Sequence, residues 1–483
     1  MITVLLIILP LLGGLISFAL SDEKAKINAI AIAVIELILA LVAMYIFNPA
    51  GNGLQFAYNI PWISSLGISF KVGMDGISLL MVLLTAGLMP LILLSTFRNS
   101  YDGAAKLYGL MLLMQSALIG VFTSFDGFLF YIFWELALIP IYFICLLWGG
   151  ERRVPITLKF FIYTLAGSLF MLIGLIYLYL QTPLPHSFDI TALYNTALDA
   201  NAQMWVFWAF FLAFAIKMPL FPFHTWQPDT YVTAPTPGTM LLSGIMLKMG
   251  IYGLIRWLLP VVPQGAAASM GFCMALAVIG VVYASIIALM QRDMKRLVAY
   301  SSIAHVGIIG AGALSLTYNG LQGAVVQMLA HGINVVALFL IVDIFEQYDK
   351  NRDIESFGGI AQRDIRFAVL FFIVMLGAIA LPLTNGFVGE FMLFYGIFSY
   401  SPTMAAVAGL SIILGAAYML RFFQKTMMGN TNTLTEGKTF VGSSEMAVLV
   451  PCAILVLAMG IYPKPILDVA APAVQQILSI IGR

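Results

Sequence analysis

The chain has 483 residues, 61% of them hydrophobic and 9% charged, with a formal net charge of +1. Ordinary globular domains are roughly 25% charged, and a soluble core cannot hide this much apolar surface, so the composition indicates a polytopic membrane protein. The near-zero charge excludes the basic footprint of a nucleic-acid binder. The scattered Cys145, Cys273 and Cys452, without a CxxC pair or a Cys/His cluster, exclude an iron–sulfur centre or structural zinc built by this chain.

Apolar runs between polar or Pro/Gly-rich breaks predict an all-α membrane protein with about fourteen transmembrane helices, at ~20 residues per crossing. The first, 2–20, has no basic leader and no small-residue cleavage site, and is read as a retained helix. The others are 27–47, 76–97, 107–124, 127–149, 156–181, 203–221, 237–259, 268–290, 297–316, 320–346, an interrupted span over 366–399, then 403–428 and 444–462. Residues 54–74 alternate polar and apolar around Pro61 and Gly67, the pattern of a hairpin on the membrane surface. The glycine cluster Gly307, Gly310 and Gly312 lies in an apolar helix with no preceding strand, so it reads as close helix packing and not as a nucleotide fingerprint.

The distribution of lysine and arginine sets the orientation. With the N-terminus outside, the inner loops collect seventeen basic residues, including Arg152, Arg153, Lys295, Arg296, Arg352 and Arg421. Only Lys71, Arg256, Lys464 and Arg483 fall outside. Both termini are therefore expected on the outer, periplasmic side. The remaining two, Lys217 and Lys248, belong to no loop.

Two spans are interrupted in a related way. Pro219 and Pro222 break a helix just after Lys217, and Pro382 and Gly386 break one just before Glu390. Such breaks at membrane depth are tolerated where they line a cavity or are buried in protein. They lie five spans apart, and an odd offset puts the two copies in opposite orientations, as inverted five-helix repeats require. The expected division is 1–106 for three N-terminal helices with the hairpin, 107–259 for the first repeat, 268–428 for the inverted second, and 444–483 for a last helix and tail.

A charge at mid-bilayer costs at least about 2.5–3.5 kcal/mol on insertion scales, so intramembrane charges mark ion or proton paths by default. Glu135 sits about nine residues into its span and is read as the partner of a lysine. Burial disfavours a charged amine and a nearby carboxylate favours it, so a lysine between these effects switches protonation when the carboxylate moves. Lys217, just before its proline break, is the first candidate for that switch. Lys248 lies near mid-span, too deep to snorkel. His305 and His331 occupy successive spans, where imidazole accepts and releases protons near neutral pH. His224 and Asp229 flank the break after Lys217 as loop organisers or an entry site. Asp343 is expected at an interface, and Glu36 against a neighbouring subunit. A proton would enter near Lys217, cross by Lys248, His331 and water, and leave from Glu390. A packing scaffold is the bland alternative, but so many buried charges make it costly.

The segments FWELALIPIYFI, KMPLFPFHTWQPDTYVTAPTPGTMLLSGIMLKMGIYGLIR and DMKRLVAYSSIAHVG resemble the antiporter-like membrane subunits of respiratory complex I, over about residues 70–430. The same fold occurs in multisubunit Na⁺/H⁺ antiporters and membrane-bound hydrogenases, which are the alternative functions. The later broken helix usually carries lysine in this family, and NGFVGEF with Glu390 resembles the branch that carries glutamate instead. The resemblance implies a pair of inverted repeats and proton translocation by Glu135, Lys217, Lys248, His331 and Glu390, with His305 carried over beside His331. It implies no cofactor in this chain, with NADH, FMN, iron–sulfur clusters and quinone bound by partner subunits. It also implies neighbouring antiporter-like chains as partners and a bacterial inner membrane as the location.

Overall fold

A computed structural model describes residues 1–51, 53–350 and 352–482; Arg483, counted above among the outer charges, lies outside the described residues. The order of elements is α1 (Ile2–Ser17), α2 (Asp22–Ile46), β1 (Gln55–Ile63), β2 (Ile68–Met74), α3 (Gly76–Ser95), α4 (Ala104–Thr123), α5 (Gly127–Leu136), α6 (Leu138–Trp148), α7 (Arg153–Gln181), α8 (Ile190–Tyr194), α9 (Ala200–Lys217), α10 (Gln227–Thr233), α11 (Thr236–Leu241) and α12 (Leu247–Gly253). It continues with α13 (Pro263–Met290), α14 (Met294–Leu314), α15 (Tyr318–Glu346), α16 (Ile360–Arg363), α17 (Ile365–Ala378), α18 (Asn385–Tyr400), α19 (Pro402–Met427), α20 (Ser443–Ile461) and α21 (Lys464–Ile481).

Among the described residues, twelve helices or continuous helix pairs are long and apolar enough to cross a membrane, and α1 and α17 are shorter apolar helices. Apolar side chains surround most of these helices, so burial, not amphipathicity, separates the centre from the lipid face. The segment Thr236–Leu258 and all of α15 between Gly320 and Phe345 are buried, whereas α2, α19 and α20 are mostly exposed on the outside of the chain. The two central helices thus carry Lys248 and His331 in the middle of the bundle.

Helix irregularities fall around that centre. Thr236–Leu258 contains two π-helical turns, Leu242–Met246 before Lys248 and Leu254–Leu258 after it. A π-turn shifts the hydrogen-bond ladder by one residue and frees backbone carbonyls for other partners. After α9 the chain breaks over 218–226, and after α17 over 379–384. In the second break Ala380 and Leu383 take left-handed backbone angles, φ 55° and 74°, a conformation that packing must enforce on side chains with a Cβ.

At one end of the bundle β1 and β2 form an antiparallel hairpin. Its turn passes through Gly67 at φ 61°, where a Cβ would stand 2.1 Å from the His186 carbonyl oxygen. Residues 463–483, expected as a tail, instead hold α21. Its apolar face, Val469, Ala470, Ala473, Val474 and Ile477, is buried against α3 and α15. The helix is amphipathic and lies beside the bundle, which is why a search for continuous apolar runs passes over it.

Candidate proton-relay site

Lys217 ends α9 and is 2% exposed. The following Pro219 and Pro222 donate no backbone N–H, so the helix cannot continue, and the Trp226 indole donates to the freed Ile216 carbonyl at 2.9 Å. The Lys217 amine stands 5.3 Å from the centre of the Trp134 ring. Trp134 precedes Glu135 in the last turn of α5, and the Glu135 and Lys217 charges act on one another. Glu135 is half-buried, and its Oε1 is enclosed without a hydrogen-bond partner among the described residues.

Lys248 is fully buried. Its Nζ donates to the Ser243 carbonyl at 2.6 Å and lies 2.8 Å from His331 Nδ1. Ser243 belongs to the π-turn, so the irregularity supplies an oxygen to the amine. An ammonium has donors and no acceptor, so when Lys248 is charged, His331 Nδ1 accepts and Nε2 carries the imidazole proton.

Among the described residues His331 Nε2 has no hydrogen-bond partner, and neither do Ser302 Oγ and Gln327 Oε1. All three residues line one cavity of about 20 Å³, together with Ser301, His305 and Asn334. A water needs roughly 10–15 Å³ and two to four polar partners; one at this position would satisfy three groups that burial otherwise leaves unpaired. The His305 and His331 rings stand 5.8 Å apart.

His305 Nδ1 lies 2.7 Å from the Ser301 carbonyl, and Nε2 lies 2.9 Å from the Ala378 carbonyl and 3.3 Å from Glu390 Oε1. Both ring nitrogens therefore face oxygen acceptors, a set that only the doubly protonated ring satisfies. Glu390 is 7% exposed and takes a further hydrogen bond from Gln327 at 3.4 Å. A second cavity, about 10 Å³, lies between His305, Glu390, Ser411 and Tyr418.

Lys248, His331, His305 and Glu390 thus form one series joined by direct contact or water-sized gaps. Lys217 and Glu135 stand apart from this series, near enough to interact electrostatically but without an ion-pair contact among the described residues. No hydrogen bond joins Lys217 to Lys248 among the described residues; α9 and α12 meet beside them at Gly250, where a Cβ would come within 2.8 Å of Met218 N and 2.9 Å of Phe214 O.

Charge counting overlooks several participants. Gln327 touches both His331's cavity and Glu390, and the Asn334 and Asn385 amides pair at 3.1 Å, tying α15 to the start of α18. Isolated amides in apolar runs were the available signal. Lys295 and Arg256, assigned to loops, are 3% and 5% exposed. Lys295 donates to the Ala234 carbonyl at 2.9 Å and joins a polar cluster with Glu346 and Asp343.

Asp343 is buried and accepts from Thr236 and from Asn99, which supplies the partners its sequence context did not reveal. Asp229, in α10 and not in a loop, ties that helix to α14 through Arg296 at 3.0 Å and to α7 through Lys159 at 3.6 Å. His224 is buried against the Phe221 and Tyr283 rings. Glu36 is wholly enclosed within the chain, so no face of it is open to a neighbouring subunit. Gly307 and Gly312 pack against Val281 and Leu393, and among the described residues no group of His, Cys, Asp and Glu could hold a metal ion.

Residues 124–415 match the family described as NADH:quinone oxidoreductase/Mrp antiporter, transmembrane. The chain is 39% identical to the NADH-quinone oxidoreductase subunit M of Rickettsia prowazekii, over 98% of this chain and 97% of that one. Among solved structures it is similar to a chain of respiratory complex I from Thermus thermophilus, with a TM-score of 0.92, 30% identity and complete coverage of both chains. A chain of the archaeal membrane-bound sulfane sulfur reductase has the same fold at 22% identity, with a TM-score of 0.88 over 99% of both chains.

Proposed function

The chain belongs to the NADH:quinone oxidoreductase/Mrp antiporter membrane family, and from that premise we propose that it is the subunit M-type proton-translocating component of a bacterial complex I. The observation that carries the reading is the buried series Lys248–His331–His305–Glu390, in which two direct contacts, Lys248 to His331 and His305 to Glu390, are separated by a water-sized cavity between the two histidines. Protons hop along such a series, while a bulky solute needs a pocket that the series does not contain. The near-full-length identity to quinone oxidoreductase subunits favours complex I over a sodium antiporter or a hydrogenase.

In this reading Glu135 and Lys217 form the input switch. Movement of the Glu135 charge, driven by neighbouring subunits, changes the proton affinity of Lys217, which passes the change to Lys248. The proton then leaves through His331 and His305 to Glu390. The breaks beside Lys217 and Glu390 are equivalent parts of two inverted five-helix repeats, 107–259 and 268–428, preceded by 1–106 and followed by 444–483. The chain crosses the inner membrane fourteen times with both termini periplasmic, so the hairpin and α21 face the periplasm. Other antiporter-like subunits adjoin it, and NADH, FMN, iron–sulfur clusters and quinone are bound by partner subunits.

The test is a Lys217→Ala variant of the whole complex in proteoliposomes. NADH-driven acidification should fall by roughly tenfold or more, the loss expected when a titratable group leaves a proton-transfer chain, with the complex still assembled. Normal acidification would remove Lys217 from the mechanism, and a wild-type complex with no NADH oxidation would refute the assignment to complex I.

A further inference from the structure

The end of the bundle that carries the hairpin and α21 holds two adjoining cavities of about 370 and 310 Å³. Gly53, Asp75, Gln476 and Ser479 contribute to the walls of both, so the two form one vestibule. Thr191, Asn195, Gln476 and Ser479 are exposed at its rim. Arg256 and Asp75, 5% and 6% exposed, lie at its base and form an ion pair through Arg256 Nη2 and Asp75 Oδ2. The other Asp75 oxygen accepts from Ser78 N at 3.0 Å and caps α3.

Arg256 is eight residues beyond Lys248 on the same helical segment, about 12 Å along the axis. Water in the vestibule therefore stands close to the buried amine of the relay, and a path between them would return protons across the membrane. The side chains in between interrupt such a path. Guanidinium has five donors, no acceptor and no accessible deprotonated form, so a proton cannot be handed through it. Its charge also repels an approaching hydronium ion. The Phe125 and Tyr252 rings stand 5.2 and 5.7 Å from its centre. Beyond it, Tyr252 donates its hydroxyl to the Phe122 carbonyl at 3.0 Å and is left to accept from Ser78 at 3.1 Å. That hydrogen-bond chain ends on a backbone oxygen.

We propose that Arg256, held by Asp75, is the proton-exclusion residue at the base of this vestibule, separating vestibule water from Lys248. The inference rests on the proton-translocating reading above and assigns a direction-keeping role to residues outside the relay. Arg256→Met removes the charge, and Arg256→Lys keeps it.

In proteoliposomes of the intact complex with an imposed pH gradient and no NADH, Arg256→Met should raise passive proton conductance about tenfold or more, since a rate changes tenfold for each ~1.4 kcal/mol of barrier. Arg256→Lys, which keeps a charge but carries an amine that can release its proton, should leak more than wild type and less than Arg256→Met. An assembled Arg256→Met complex that holds the gradient as wild type does would overturn the proposal.

Thiol access gives a second readout should Arg256→Met fail to assemble, because Cys145, Cys273 and Cys452 are all buried. A membrane-impermeant maleimide should modify Asn195→Cys at the rim and leave Ser78→Cys unmodified; equal modification of the two would also overturn it. A wild-type complex without NADH-driven acidification would instead fail the translocation reading, whatever its leak.

Discussion

At the residue scale, the four relay groups differ in what holds them. Lys248 is held by one backbone carbonyl and one imidazole, a sparse set for a buried ammonium that has three donors. Its positioning is therefore suited to losing the proton as well as to keeping it. Lys248→Met should lower NADH-driven acidification while leaving thermal stability equal to wild type or higher, because a buried charge traded for an apolar chain of similar volume is often neutral or stabilising. A large drop in thermal midpoint would show that the amine supports the fold. Glu390→Gln removes the charge beside His305 but keeps the shape. Acidification should fall by roughly tenfold or more, and the conservative Glu390→Asp should recover part of it. The candidate carriers stood out in the sequence because a charge in an apolar run has few bland explanations, and the structure buries Lys217, Lys248, His331 and Glu390. His305's place between His331 and Glu390 was not, since it depends on how α14, α15 and α18 pack.

At the element scale, the broken helices follow from proline chemistry that any sequence reading can use, and Lys217 at the end of α9 sits where Pro219 and Pro222 require the helix to stop. The π-turns around Lys248 carry no such mark. Nothing in the LLSGIMLK stretch forbids an ordinary helix, and the shifted ladder is matched by a local bond from the Lys248 amine to the Ser243 carbonyl and by that amine's contact with His331 of α15. The crossing of α9 and α12 depends on Gly250. Gly250→Leu puts atoms into space held by Met218 and Phe214, and overpacking of this kind costs about 1–3 kcal/mol. It should lower the thermal midpoint of the complex and impair pumping; unchanged stability and pumping would show that the crossing has slack. For α21, Ile477 is buried against the bundle, and Ile477→Ala should cost about 2–5 kcal/mol of local stability. The readout is faster protease cleavage within 464–482.

At the scale of the whole molecule, twelve spans and two shorter apolar helices enclose a centre in which polar groups are few and mostly paired. The composition announced the membrane, and periodicity was of little use because the helices are apolar on most sides. What the sequence could not supply was proximity. Lys295 and Arg256 look like loop charges until the fold buries them, and Gln327 becomes part of the relay only through contact with Glu390. The vestibule under α21 arises from chain segments more than 400 residues apart in sequence, Gly53 and Gln476 among them. In the proposed reading the series from Lys248 to Glu390 conducts protons and Arg256 closes the floor of the vestibule.

The central claim is that this series carries protons. Its most direct test is the proton-to-electron ratio of the reconstituted complex bearing Lys248→Met, measured during NADH oxidation with an uncoupler control. The account predicts a reduced ratio, with quinone reduction slowed by the loss of coupling and assembly intact. A wild-type ratio in an assembled Lys248→Met complex would contradict it.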